Sequence, residues 1–202
     1  MTVIPPSAKR VTPAALNTKA TEDYRNNRLF RYMAADEVEG LAPRLEQLRY
    51  DKGQMIVQRR DQDQGVYLLL EGVLLANQYA RSGREVGYRR LNPGAYFGEI
   101  SAIDGLPRSV NIVALEDARI ARLPQRLIHE LIDSSPRFMR ALLEDMAALT
   151  RSLTDRLFEL TAISVASRVD IELLRMASAA SGDGKSAIIN PCDTSSIIAM
   201  AE

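Results

Sequence analysis

Between residues 54 and 123 the chain is a ladder of short β-type runs: QMIVQ, VYLLLEG, VLLANQY, EVGYRRL, SVNIVAL and ARIARL. Each carries β-branched or aromatic residues and is shorter than an ordinary helix. Turn signals part them at Asp51-Lys52-Gly53, Gly72, Ser82-Gly83, Asn92-Pro93-Gly94 and Glu116-Asp117. Several short strands at near-regular spacing predict an antiparallel roll or barrel.

Helical periods flank the ladder. From residue 28 to 46, Leu29, Phe30, Met33, Val38, Leu41 and Leu45 recur at helical spacing, predicting one or two short helices broken near Ala34-Ala35-Asp36. After Pro124 the chain turns helical, first over residues 125–133. Ser134-Ser135-Pro136 then marks the start of a longer helix, with proline accepted in the first turn. The fold class expected is α+β: a β-roll with flanking helices and a long dimerisation helix. The expected division is an arm over residues 1–27, a roll domain over 28–135, the long helix over 136–162 and a C-terminal segment over 163–202.

The 202 residues are 46% hydrophobic, enough for a core, and carry no formal net charge. That balance gives no global attraction to nucleic acid or an anionic membrane. The opening 27 residues hold two adjacent prolines and scattered charge, and read as a loosely held arm rather than a signal peptide. With no long apolar run to enter a bilayer and a single cysteine, Cys192, the chain reads as a cytoplasmic protein without an internal disulfide.

The long helix carries two stripes. Met139, Leu142, Met146, Leu149, Leu153, Arg156, Leu160 and Ile163 alternate steps of three and four, a heptad seam interrupted only by Arg156. Leu143, Ala147, Thr150, Thr154 and Leu157 follow the same steps on a neighbouring face. The seam suits a two-fold partner helix and the second stripe suits the chain's own roll; a single wide intramolecular face is the alternative. The hydroxyls of Thr150 and Thr154 either reach a polar ligand or bond their own helix carbonyls four residues back.

The stretch GAYFGEISAIDGLPRSVNIVA, from residue 94, interrupts the strands with groups suited to a phosphate. Gly98 admits close backbone approach. Glu99, Ile100, Ser101 and Ala102 form one helical turn whose free N–H groups attract an anion. Arg108 offers a cationic fork and Ser109 a hydroxyl, while Glu99 accepts from a ribose hydroxyl. Together they describe a ribose cyclic phosphate better than a free inorganic anion. The plainer alternative is a surface turn with a chance ion pair.

The motif FGEISAIDGLPRSV, residues 97–110, resembles the phosphate-binding cassette of the bacterial cyclic-AMP receptor protein / fumarate-nitrate regulator family of transcription factors. The similarity runs from about Leu29 to the chain end. It implies that Gly98 and Glu99 meet the ribose, that Arg108 and Ser109 meet the cyclic phosphate, and that Thr154 reaches the purine. Leu153 stands where some members carry a second hydroxyl, and Arg60 where the family often has glycine. The ligand implied is cyclic AMP or cyclic GMP, with no other cofactor and no metal. The partners implied are a second copy of the chain and, for a complete regulator, DNA and RNA polymerase.

Residues 163–177, ISVASRVDIELLRMA, resemble the helix that opens the family's winged-helix domain, with Arg168 where members commonly carry arginine. NPCDTSSIIAMAE resembles the first helix of a helix-turn-helix. No recognition helix follows before Glu202, so this segment reads as a partial winged helix-turn-helix, and sequence-specific DNA binding by this chain is not expected.

Other chemistry finds little support. His129 is the lone histidine, so a structural role is favoured over a haem or metal ligand. Cys192 receives no function, and Arg89-Arg90 reads as a solvated strand edge. No nucleophile has a plausible base, so an enzyme is not expected. The reading is a homodimeric, cyclic-nucleotide-responsive allosteric regulator. Its rival is a regulator of the same fold that senses another effector or acts without a ligand.

Overall fold

The structure, a computed structural model, describes residues 9–10, 18–79 and 85–162. They fall into two compact units divided between Asp145 and Met146.

In the first unit the strands are β1 (Lys9–Arg10), β2 (Glu46–Tyr50), β3 (Met55–Val57), β4 (Val66–Glu71), β5 (Leu74–Tyr79), β6 (Glu85–Leu91), β7 (Tyr96–Phe97), β8 (Asn111–Ala114) and β9 (Ala118–Leu123). They form two antiparallel sheets, ordered β1-β2-β9-β4-β7 and β3-β8-β5-β6. The helices are α1 (Thr18–Arg25), α2 (Ala35–Leu41), α3 (Glu99–Asp104), α4 (Gln125–Ser134) and α5 (Pro136–Ala162). The expected β-roll with flanking helices is present, and all six sequence runs contain a strand.

The period-2 alternation of β4 and β9 builds two cores at once. Tyr67, Leu69, Ala118 and Ile120 face the second sheet, joining Leu48, Tyr50, Ile56, Leu74 and Ile112. Val66, Leu68, Leu70, Ala121 and Leu123 face the opposite way, against Tyr24, Leu29, Phe30, Val38, Leu127, Ile128, Phe138 and Leu142 from the helical layer. A strand buried on both faces reads as an unbroken apolar run, which is why VYLLL does not alternate.

Three stretches differ from expectation. Thr18–Arg25, placed in a loose arm, is helical, and Tyr24 is fully buried in the helix-side core. The helical period that reached residue 46 ends earlier, at a 3-10 turn over Ala42–Arg44 that includes Pro43. Glu46–Tyr50 is then a strand pairing with β9. Tyr96–Phe97 is a further short strand, pairing with β4.

The start of α5 follows its sequence signal: Ser135 Oγ accepts the Phe138 N–H at 3.3 Å, an N-cap bond. Arg31 fastens this first part of α5. Its guanidinium donates to Asp145 at 2.9 Å, Glu144 at 3.0 Å and the Ala141 carbonyl at 3.0 Å. Arg28 adds a bond to Asp145 at 3.1 Å, and the Tyr32 hydroxyl one to Glu144 at 2.7 Å.

The two stripes on α5 are not arranged as expected near its start. Leu142, assigned to the partner seam, lies in its own unit's core with Phe138. Leu143, assigned to the roll-facing stripe, is 60% exposed. Helix register explains the exchange: Phe138 and Ala141, both fully buried, set the inward face here, and Leu142 adjoins it. Met139, Met146 and Leu149 are half-buried, and Leu153 is exposed. Leu160 side-chain placement, Ile163, and the whole expected winged-helix segment with Arg168 and Cys192 lie outside the described residues.

Candidate anion-binding cassette

β7 ends at Phe97, whose ring stacks on Tyr67 with centroids 5.1 Å apart. Gly98 then takes φ +92°, a left-handed conformation, and caps α3. The helix stops at Gly105, also left-handed at φ +70°, and the Asp104 carboxylate accepts the Leu106 N–H at 2.9 Å. The chain thereby turns back and brings Arg108 under the start of α3.

The Arg108 guanidinium is buried, the residue being 4% exposed. Nη1 donates to the Gly98 carbonyl at 2.9 Å; Nη2 donates to Asp63 at 2.5 Å and to the Gly65 carbonyl at 2.6 Å. The cation also lies 5.5 Å from the Tyr67 ring centroid. Arg108 Nε is buried and has no hydrogen-bond partner among the described residues. A guanidinium has five N–H donors, so the fork keeps donors unspent beside the turn that opens α3.

Gly98 was expected to admit a ligand. In the structure its missing side chain makes room for Arg108: a Cβ there would stand 2.4 Å from Nη1 and 2.7 Å from the Gly65 carbonyl oxygen. The loop between β3 and β4 completes the holder. Arg108 N–H donates to the Asp61 carbonyl and Arg60 N–H to the Arg108 carbonyl, each at 2.9 Å, and Gln64 Nε2 donates to the Gly105 carbonyl at 2.7 Å. Arg60, standing where the resemblance offers glycine, adopts φ +75°. The glycine-like backbone is kept without the glycine.

Asp63 is the hub beneath. One carboxylate oxygen accepts from Arg108 and, at 2.8 Å, from the Tyr67 hydroxyl; the other accepts from Arg122 at 2.6 Å. Burial alone would raise the Asp63 carboxyl, but Arg122, then Arg108 and Tyr67, outweigh it and hold the group below the ordinary carboxylate range. Tyr50, packed in the inter-sheet core, has its hydroxyl pushed up to about 12 by burial and by the Asp63 charge.

Glu99, at the first position of α3, is half-buried. Burial pushes its carboxyl up, its own backbone N–H and the charges of Arg89 and Arg108 pull it down, and Asp145 adds to the rise. Arg89, dismissed as a solvated edge, is indeed exposed on the edge strand β6, yet its charge reaches Glu99. Ser101 is buried, while Ile100 and Ser109 are exposed. Thr150 donates to the Met146 carbonyl at 2.9 Å and Thr154 to the Thr150 carbonyl at 3.0 Å. Both hydroxyls thus make the local helix bond that was the alternative to a ligand contact.

His129 has a structural contact: its Nε2 lies 2.9 Å from the Ala102 carbonyl oxygen, which Gln125 also approaches at 3.4 Å. Residues on α4 therefore serve a carbonyl near the end of α3 that the short helix leaves open. Among the described residues no cluster of His, Cys, Asp and Glu is suited to a metal, and no helix is long and apolar enough to cross a membrane.

Sequence reasoning missed Asp63, Tyr67 and Arg122. For Arg122 a signal existed: in ARIARL it shares parity with Ala118 and Ile120, which places a charge on the strand's inward face. Asp63 sits in QRRDQDQG, where nothing in the pattern separates it from its polar neighbours.

A two-sheet roll interrupted by a glycine-capped helical turn, with a buried arginine returning beneath it, defines a cyclic-nucleotide-binding domain. The family profile described as "Cyclic nucleotide-binding domain" matches residues 47–135. A cyclic AMP receptor protein of Thermus thermophilus is 30% identical over 73% of this chain and 68% of its own length. The chain belongs to the cyclic AMP receptor protein family. The crystal structure of the Thermus thermophilus catabolite activator protein superposes with a TM-score of 0.63 at 28% identity, covering 77% of this chain and 73% of that one. A cAMP-dependent protein kinase regulatory subunit of Colletotrichum orbiculare is 29% identical over 59% of this chain, and this match spans only 30% of the relative's length. These named relatives are regulators.

Proposed function

We propose that the chain binds cyclic AMP or cyclic GMP in its roll and acts as the sensing part of an allosteric transcription regulator. The observation that carries this reading is the buried Arg108 fork, held by Gly98, Gly65 and Asp63, with its Nε–H unspent. A charge-assisted bond from such a cation to a bound anion is worth about 1.5–3 kcal/mol. In the proposal Arg108 and Ser109 take the cyclic phosphate with the backbone around Ile100 and Ser101. Gly98 and Glu99 take the ribose, and Thr154 is assigned to the purine.

The dimer proposed uses Met139, Met146, Leu149, Leu153, Leu160 and Ile163, with Leu142 removed from the set because its own core claims it. Leu153 is exposed, as a partner contact in an isolated chain should be. Ligand binding then biases the dimer, with a coupling on the order of 1–3 kcal/mol typical of such systems. DNA and RNA polymerase are partners of the whole regulator, in the cytoplasm, and no catalytic step is assigned.

Equilibrium dialysis of the chain against cyclic AMP, cyclic GMP and non-cyclic 5′-AMP tests the reading. Saturable uptake of a cyclic nucleotide, with 5′-AMP held more weakly, supports it. Equal retention of all three, or of none, contradicts it.

A further inference from the structure

We infer that Arg122 is a positioning residue that keeps positive charge available at the cassette by neutralising Asp63 in place of Arg108. The inference rests on the cyclic-nucleotide reading above and adds to it the origin of the site's charge.

Arg122 occupies an inward position of β9, in register with Glu46 on one side and Tyr67 on the other. Its side chain is 4% exposed, and its guanidinium lies 5.9 Å from the Tyr67 ring centroid. The surroundings are shaped to it: a Cβ on Gly65 would stand 2.7 Å from Arg122 Nε. A buried arginine at this position needs a strong local reason, since desolvating a cation is costly without a close counter-ion. Asp63 is that counter-ion, at 2.6 Å.

Asp63 divides itself. One oxygen serves Arg122 and the other serves Arg108, at 2.5 Å. Two guanidinium groups and one carboxylate leave a single positive charge on the triad. With Asp63 and Arg108 alone the pair would be neutral, and a phosphate approaching Arg108 would meet a carboxylate already bonded to it. Like charges repel at that range, so anion affinity would fall. Glu46 is a weaker claimant on Arg122: it stands at 3.2 Å and is 34% exposed, where solvent screens it. Among the groups that draw the Asp63 carboxyl down, Arg122 comes ahead of Arg108, in agreement with its being the principal counter-ion.

The test uses the full chain with Arg122→Gln, which keeps a hydrogen bond but no charge, and Arg122→Lys, which restores the charge. Calorimetry with cyclic AMP and cyclic GMP should show affinity falling by about tenfold or more in Arg122→Gln and recovering to within about threefold of the parent in Arg122→Lys. Unchanged affinity in a folded Arg122→Gln overturns the inference, as does equal loss in both variants. A second measurement needs no ligand: carbon-13 titration of the Asp63 carboxyl in the parent, Arg122→Gln, Arg122→Lys and Arg108→Met. The Asp63 midpoint should rise more in Arg108→Met than in Arg122→Lys, because charge at residue 122 remains in the latter, yet stay below the level reached in Arg122→Gln. A midpoint that rises more in Arg108→Met than in Arg122→Gln overturns the inference. Failure of the parent to bind either nucleotide overturns the functional reading, and the carboxyl titration then still decides which arginine neutralises Asp63.

Discussion

Arg108 Nη1 and the Cα of Gly98 pack so closely that any side chain on Gly98 would have to occupy the guanidinium's place, its Cβ falling 2.4 Å from that nitrogen. Two residues ten apart in sequence are thus a single device, one supplying the fork and the other the space and a carbonyl to hold it.

Gly98→Ala should therefore remove ligand affinity and stability together. The left-handed φ of +92° adds its own strain to the displacement of Arg108. A loss of roughly 2–3 kcal/mol in unfolding free energy is expected, and at least about tenfold in cyclic-nucleotide affinity. Urea denaturation and calorimetry on the same preparation check both; a variant as stable as the parent would contradict the packing described.

At Arg60 the opposite is expected. A non-glycine residue at φ +75° is strained, and its N–H bond to the Arg108 carbonyl would survive replacement. Arg60→Gly should relieve the strain, offset in part by the greater freedom of glycine in the unfolded chain, for a net gain of about 0.5–1 kcal/mol. A small rise in the thermal midpoint is the expected outcome, and a fall would mean that the arginine side chain has a stabilising contact.

Arg31 joins three groups on the first part of α5, with Asp145 side chain only 12% exposed. Arg31→Ala should cost about 2 kcal/mol, the worth of one well-made charged hydrogen bond. Hydrogen exchange should quicken around residues 28–33 and 136–145 while β4 and β9 stay protected. Uniform quickening across the roll would show a different role.

The β-ladder was legible because Gly, Asn-Pro-Gly and Ser-Gly punctuate short apolar runs. Glu46–Tyr50 was hidden: Leu45 and the preceding leucines extend a helical period past Pro43, and only pairing with β9 reveals the strand. In the cassette, the chemistry of Arg108 was readable and its holder was not. Asp63 reaches Arg108 across 45 positions of sequence, a distance over which spacing carries no signal. The exchange of Leu142 and Leu143 has another cause: both stripes are apolar, and only the burial of Phe138 and Ala141 decides which turns inward.

Acid should act on the carboxylates in opposite senses. Glu144 is drawn down to about 2 by the Tyr32 hydroxyl and then by Arg140 and Arg31, so its contribution is present above the ordinary value of 4.5 and lost as pH falls toward 2. Asp63, also lowered, loses its contribution below its ordinary value of 3.8. Glu99 is raised above 4.5, so the folded chain binds the extra proton and stability falls as pH rises through that raised value. Urea midpoints measured across pH should therefore rise from acid for the parent, and Glu99→Gln should remove the decline on the upper side. Retention of that decline in the variant would assign it to another group.

The central claim, that Arg108 receives the phosphate of a cyclic nucleotide, is tested most directly by calorimetric titration of the parent and Arg108→Ala with cyclic AMP and cyclic GMP. The account predicts one binding event per chain with at least one of the two nucleotides, weakened about tenfold or more by the substitution. No binding by the parent, or equal affinity in a folded Arg108→Ala, would contradict it.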